Sequence, residues 1–174
     1  MNKTKFLSYC SFFAALTAVL SQISVPIGPV PVNLALMSPV ICSALFGVKT
    51  GVASQTVFVL LGAVGLPVFA GFKGGLSALA GPTGGYIMGY ILCAAAVGLI
   101  LQKANKKTTA TLVLAAVAGT LICYAFGTLW FVYQQKTSFF AALSLCVFPF
   151  LPGDAVKIAL DVLIIKKTNK YLNR

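Results

Sequence analysis

Apolar residues run through this chain in long blocks, interrupted by short breaks and not by polar linkers. A block of about 20 apolar residues matches the thickness of the hydrocarbon core of a bilayer, so each one predicts a membrane-crossing helix. Charges, prolines and glycines mark the breaks. Six helices fit, near 6–25, 34–47, 51–66, 84–102, 108–131 and 139–165. The second is too short to cross without tilting or borrowing from its flanks. Residues 1–174 therefore read as a single all-α transmembrane domain. The first block, Phe6 to Val25 behind Lys3 and Lys5, also has the outline of a secretory signal peptide, but no small-residue cleavage site follows it and apolar spans continue to the end.

Composition agrees with the pattern: 59% hydrophobic and 9% charged residues cannot clothe a soluble globule in a polar skin. The formal charge of +11 sorts by position. With the N-terminus inside, Lys3, Lys5, Lys49, Lys103, Lys106, Lys107, Lys166, Lys167, Lys170 and Arg174 fall on the cytoplasmic side, and Lys73 and Lys136 fall outside. That bias predicts a multi-pass protein of the cell membrane with both termini cytoplasmic. It also disposes of nucleic-acid binding, which needs the basic residues gathered on one folded surface with aromatic interleaving.

Little chemistry of the catalytic kind is available. The five cysteines, Cys10, Cys42, Cys93, Cys123 and Cys146, lie singly in apolar stretches without metal or redox spacing, and read as small buried hydrophobes. There is no histidine, and Asp154 and Asp161 are the only carboxylate side chains. No phosphate-cradling loop occurs, the fragment Gly47-Val48-Lys49-Thr50 lacking the spacing. No catalytic residue, metal or cofactor is expected. If the chain works against a gradient, another subunit hydrolyses the nucleotide.

Two external connections stand out. Pro26-Ile27-Gly28-Pro29-Val30-Pro31-Val32-Asn33 has three prolines in eight residues, which predicts a stiff extended cover over the outer mouth of the bundle. The glycine-rich stretch from Gly65 through Phe69, Phe72 and Lys73 to Thr83 and Tyr86 reads either as a flexible loop or as a ligand lid. Gly81, Gly85 and Gly89, and likewise Ala14 and Ala18, recur at every fourth position, the spacing that lets helix backbones approach in lipid, whether within this chain or against another.

Asp154, Lys157 and Asp161 lie on one face of the last block, where an ionised group costs at least a few kcal/mol and marks a functional site by default. Asp154 sits roughly 18 Å above the cytoplasmic boundary at 1.5 Å per residue, at mid-membrane or somewhat outside. Pro149-Phe150-Leu151-Pro152-Gly153 interrupts the helix just before it, so the combination predicts a polar pocket open toward the outside. The plainer alternative is an internal ion-pair ladder with no ligand.

The string Gly65-Leu66-Pro67-Val68-Phe69-Ala70-Gly71, then Gly74-Gly75, then Gly81-Pro82-Thr83-Gly84-Gly85-Tyr86 resembles the signature of BioY proteins, the biotin-specific S components of energy-coupling-factor (ECF) transporters. Pro152-Gly153-Asp154-x-x-Lys157 is similar to that family's pattern too, and the likeness covers nearly the whole chain. It implies a six-helix S-component bundle that captures biotin at the outer face and works with a transmembrane coupling subunit and two ATPases. It also implies that Ala14 and Ala18 dock on the coupling subunit. Lys73 departs from the recognisable pattern.

Matching biotin to the available groups gives an expected pocket. Asp154 accepts from a ureido N–H and Lys157 donates to the ureido carbonyl, Asn33 and Thr83 add neutral hydrogen bonds, Phe69, Phe72 and Tyr86 cover the sulfur ring, and Lys73 meets the carboxylate. The competing class is a stand-alone secondary transporter for a small organic anion or drug. It would couple proton flow through an intramembrane carboxylate, whereas the first three predicted helices contain none.

Overall fold

The computed structural model describes residues 2–26, 29–104 and 107–172. Helices α1 (Lys3–Gln22), α5 (Gly84–Lys103) and α6 (Thr109–Gln135) are each long and apolar enough to cross a membrane, with mean hydropathies of 1.3, 1.9 and 2.1 over their best windows. Hydrocarbon offers no hydrogen bonds, so an uninterrupted apolar run there must satisfy its own backbone as a helix. Between α1 and α5 come α2 (Met37–Phe46), α3 (Val48–Ala63) and the short α4 (Leu76–Ala80); α7 (Phe139–Cys146) and α8 (Leu151–Leu172) follow α6.

The six expected blocks are therefore all helical, but two are divided or shortened. The second is only 10 residues long and the third 16, and they meet at Gly47, whose φ of 86° reverses the chain in a single residue. The expected helix over 139–165 is two helices bent by 55°. Pro149 and Pro152 supply the reason, because neither can donate to the turn before it. By length and composition the described residues thus hold three spans, or four with the bent pair taken as one.

The external connections carry structure of their own. In the first, β1 (Ser24–Val25) and β2 (Val32–Asn33) form an antiparallel ribbon, Ser24 facing Asn33 and Val25 facing Val32. Ile27 and Gly28, part of the expected stiff cover, lie outside the described residues. The second connection carries α4 and is pinned to the end of α1. Gln22 Nε2 donates to the carbonyls of Val68 and Phe69 at 3.2 and 3.1 Å, and its Oε1 accepts from the Phe72 N–H at 2.9 Å. Trp130 Nε1 holds the far side through the Gly81 carbonyl at 2.9 Å.

The inner spans pack through small residues. A Cβ on Gly85 would stand 2.3 Å from Trp130 Cβ, and one on Gly127 would stand 2.3 Å from Tyr86 Cδ1, so each glycine leaves room for a large side chain of the facing helix and α5 and α6 approach closely. The glycine repeat at 85 and 89 is thus consumed within this chain, Gly89 lying against Cys123. A buried polar knot ties α1, α2 and α3: Thr17 and Ser38 both donate to the Phe13 carbonyl, at 2.7 and 3.0 Å, and Gln55 Nε2 donates to Thr17 Oγ1 at 3.1 Å.

At the opposite end of the bundle, Lys107 Nζ donates to the Ala44 carbonyl at 2.7 Å and Lys166 Nζ to Thr109 Oγ1 at 2.8 Å. Lys3, Lys49 and Gln102 line one groove beside them, so the basic helix ends gather on a single face. Gly127→Ala is expected to lower unfolding stability in detergent by about 1 to 3 kcal/mol, the cost of overpacking a filled contact. Gly153→Ala, where an added Cβ meets nothing within 4 Å, is the control and should leave the melting temperature unchanged or slightly raised.

Candidate ligand-binding site

Where the helix breaks ahead of α8, the chain gains a place for charge inside the bundle. Asp154 lies in the first turn of α8, where the positive end of the helix dipole favours a carboxylate. Its backbone N–H bonds the Phe150 carbonyl at 2.9 Å. Lys157, one turn on, donates to Asp154 Oδ1 at 2.8 Å, in keeping with the backward lean of helical side chains. Tyr124 of α6 donates its hydroxyl hydrogen to Asp154 Oδ2. Both carboxylate oxygens are therefore engaged, and the group is 5% exposed.

Above this polar floor stands a cavity among α1, α3, α5, α6 and α8, with Leu36 at the start of α2, roofed by the two external connections. Its walls are aromatic. Phe58 meets Phe69 edge-on at 5.5 Å, Tyr90 lies 6.3 Å from Phe58, and Tyr124 stands between Tyr86 and Phe150 at 6.4 and 6.3 Å. The polar tips are held in place: Tyr90 donates to Asn33 Oδ1 at 3.3 Å, and Tyr86 shares a hydrogen with Thr128 at 3.0 Å. Rigid rings around a few fixed donors and acceptors suit a small ligand with an apolar body and a polar head.

Phe69 and Lys73 reach the cavity through one device. The segment between them turns back on itself, Phe69 and Lys73 exchanging both backbone hydrogen bonds at 2.9 and 3.2 Å, with Gly71 and Phe72 at positive φ. Phe69 points inward and is 2% exposed; its ring lies on Gly62, where a Cβ would stand 2.0 Å from Cζ. The same turn sends Phe72 outward, 72% exposed and off the cavity lining.

Of the residues singled out in the sequence, Asn33, Phe69, Lys73, Thr83, Tyr86, Asp154 and Lys157 all line this one cavity, and Phe72 does not. The structure adds Tyr90, Tyr124, Phe58 and Phe150. The four-residue interval from Tyr86 to Tyr90 places both on one face of α5 and offered a signal. Nothing in the sequence links Tyr124 to Asp154, 30 positions away. Ala14 falls on the inward stripe of α1 with Cys10, Phe13, Thr17 and Ser21 and is 1% exposed, while Ala18 is half-buried. The open face of α1 carries Ser11, Ala15 and Val19 instead.

A helical membrane bundle that roofs an aromatic cavity over a buried ion pair has the form of a small-ligand site, and the comparisons with known proteins make it that of a substrate-binding transporter subunit. A crystal structure titled as the S-component for biotin from an ECF-type ABC transporter superposes with a TM-score of 0.89 and 29% identity, over 98% of this chain and 95% of that one. The S component of a bacterial ECF transporter shares the fold at a TM-score of 0.62 and 16% identity. The model of the BioY family matches residues 1–174. The chain is 38% identical over 165 residues to a probable biotin transporter BioY of Pyrococcus horikoshii, covering 95% of this chain and 96% of that protein. It is 39% identical over 161 residues to the biotin transporter BioY of Thermotoga maritima, covering 91% and 92%. The chain belongs to the BioY family.

Removing one partner from a buried ion pair leaves an uncompensated charge. Lys157→Met is expected to lower unfolding stability by about 3 kcal/mol, and Asp154→Asn combined with it to restore most of the loss. Melting curves of both purified variants in detergent check this, and equal instability of the single and double variants would mean that the pair does not neutralise itself.

Proposed function

We propose that this chain captures biotin at the outer face of the cell membrane and passes it to an ECF module of one transmembrane coupling subunit and two ATPase subunits, with both of its termini in the cytoplasm. The observation that carries this reading is the Asp154, Lys157 and Tyr124 cluster at the closed end of an aromatic cavity, in a chain whose relatives are named biotin transporters.

Biotin offers a ureido group with two N–H donors and one carbonyl, an apolar thioether ring, and a flexible chain ending in a carboxylate. Asp154 accepts from a ureido N–H. The Lys157 ammonium, which donates to Asp154 before the ligand arrives, donates to the ureido carbonyl once it is bound. Phe58, Phe69 and Tyr86 enclose the thioether ring, and Asn33 and Thr83 border it as neutral hydrogen-bonding groups. Lys73, in the roof, receives the carboxylate where the cavity meets the outside. The basic face formed by the helix ends then lies toward the cytoplasm, as the excess of lysine in its short loops requires.

Saturable binding of labelled biotin to the purified chain without ATP is the direct test. Asp154→Asn should weaken it by about 1 to 3 kcal/mol, the scale of a charge-assisted bond at a buried site. Lys73→Ala should cost less, because water reaches that position. Biotin amidated at its carboxylate should bind the wild type more weakly than biotin does, yet lose little further affinity to Lys73→Ala. Equal losses in both proteins would assign the carboxylate to another group.

Docking on the coupling subunit is proposed along α1 where Ala18 reaches the surface, with Ala14 behind it holding the helix close to its own bundle. Ala18→Leu should reduce biotin uptake in cells that supply the ECF module by about tenfold or more, while binding by the isolated chain stays within about threefold. Uptake unchanged by this substitution would move the docking surface away from Ala18.

A further inference from the structure

Asp161 is the one carboxylate that the proposed biotin site does not use. It sits two turns below Asp154 on the same face of α8, is 2% exposed, and its Oδ1 has no hydrogen-bond partner among the described residues. It faces a small cavity directly beneath the ligand cavity, and Leu36, Asp154 and Lys157 border both. Leu36, Met37 and Val40 make its wall on the α2 side, with no charge among them, and α6 contributes the hydroxyl of Thr120. The other ionisable groups nearby are Lys157 and Asp154 on α8, Cys123 and Tyr124 on α6, and Cys93 on α5.

Two carboxylates therefore share one ammonium. Lys157 stands three residues after Asp154 and four before Asp161, and side chains on a helix lean toward its N-terminus. That direction makes Asp154 the stronger seat for Lys157 and Asp161 the weaker one, reached only by extending forward. With Lys157 on Asp154, an ionised Asp161 would be a buried charge with no paired cation and no donor to its Oδ1, beside Leu36, Met37, Val40 and Ile158, which costs more than holding a proton there.

We propose that Asp161 is a second seat for Lys157, protonated while the ammonium rests on Asp154 and ionised when a bound ureido group takes Asp154's place as partner, so that ligand binding releases a proton. The inference rests on the biotin reading of the cavity. The balance is simple: the ureido N–H groups compensate Asp154, the freed ammonium turns to Asp161, and the Asp161 O–H bond gives its proton through the ligand cavity to water. Asp161 is a positioning residue in this scheme, acting on biotin through Lys157.

The chain contains no histidine, so few of its groups titrate near neutral pH and the released proton can be counted. Calorimetric titration of the purified chain with biotin at pH 6 to 7, in buffers of different ionisation enthalpy, should show about one proton released per biotin bound. Because the bound state carries fewer protons, affinity should rise with pH, by up to about tenfold per unit while Asp161 is still protonated in the free protein. Asp161→Asn should bind biotin with a flat pH profile and no proton release, matching the wild type at the acid end. Asp161→Leu, which keeps the branched shape with somewhat larger ends, is the second variant should the amide not yield folded protein. Proton release absent from the wild type, or persisting in both variants, would overturn the proposal; the first outcome is also what a permanently water-bridged Asp161 gives. A wild type that binds no biotin at all would instead remove the reading of the cavity itself.

Discussion

An ion pair survives inside a bilayer only where the chain supplies every partner that water would have supplied, and the Asp154–Lys157 pair sets the terms for the surrounding bundle. Pro149 and Pro152 stop the preceding helix so that Asp154 enters in the first turn of a new one. Tyr124 is brought to the second carboxylate oxygen from α6. Its ring in turn packs between Tyr86 and Phe150, so the charge is fixed by aromatic contacts that also form the cavity wall. The glycines at 85 and 127 belong to the same arrangement, since only their missing side chains let α5 bring Tyr86 onto α6. Floor, wall and interhelical contact are thus one structure.

A polar cluster away from the cavity obeys the same rule without any ligand to serve. Thr17, Ser38 and Gln55 direct their hydrogens to one another and to the Phe13 carbonyl, closing three helices around a knot that needs no water. Asp161 departs from this pattern, as do the hydroxyls of Ser43 and Thr137, and of these it alone carries an ionisable group.

Much of this arrangement is legible in the order of the residues. A charge in an apolar block is so costly that Asp154 and Lys157 announce themselves, and prolines beside them mark the broken helix. The glycine and proline string locates the roof and carries the family resemblance. Direction around each helix is not legible. In a membrane bundle the faces toward lipid and toward the core are both apolar, so periodicity does not show that Ala14 turns inward or that Phe72 turns out. Tyr90 and Tyr124 are hidden for a related reason: a tyrosine in an apolar run looks like one more large side chain until its hydroxyl is seen to meet Asn33 or Asp154. The division of the last helix at its prolines and the shortness of the second are readable, whereas the turn in one residue at Gly47 depends on how α2 packs against α3 and α5.

Gln22 ends α1 with its amide spread over the Val68 and Phe69 carbonyls and the Phe72 amide. Phe69 is the ring that closes the cavity roof, so the last residue of the first helix grips the plug of the vessel. The linkage holds the two as one piece: wherever the C-terminal end of α1 sits, the backbone that carries Phe69 is fixed to it by three hydrogen bonds.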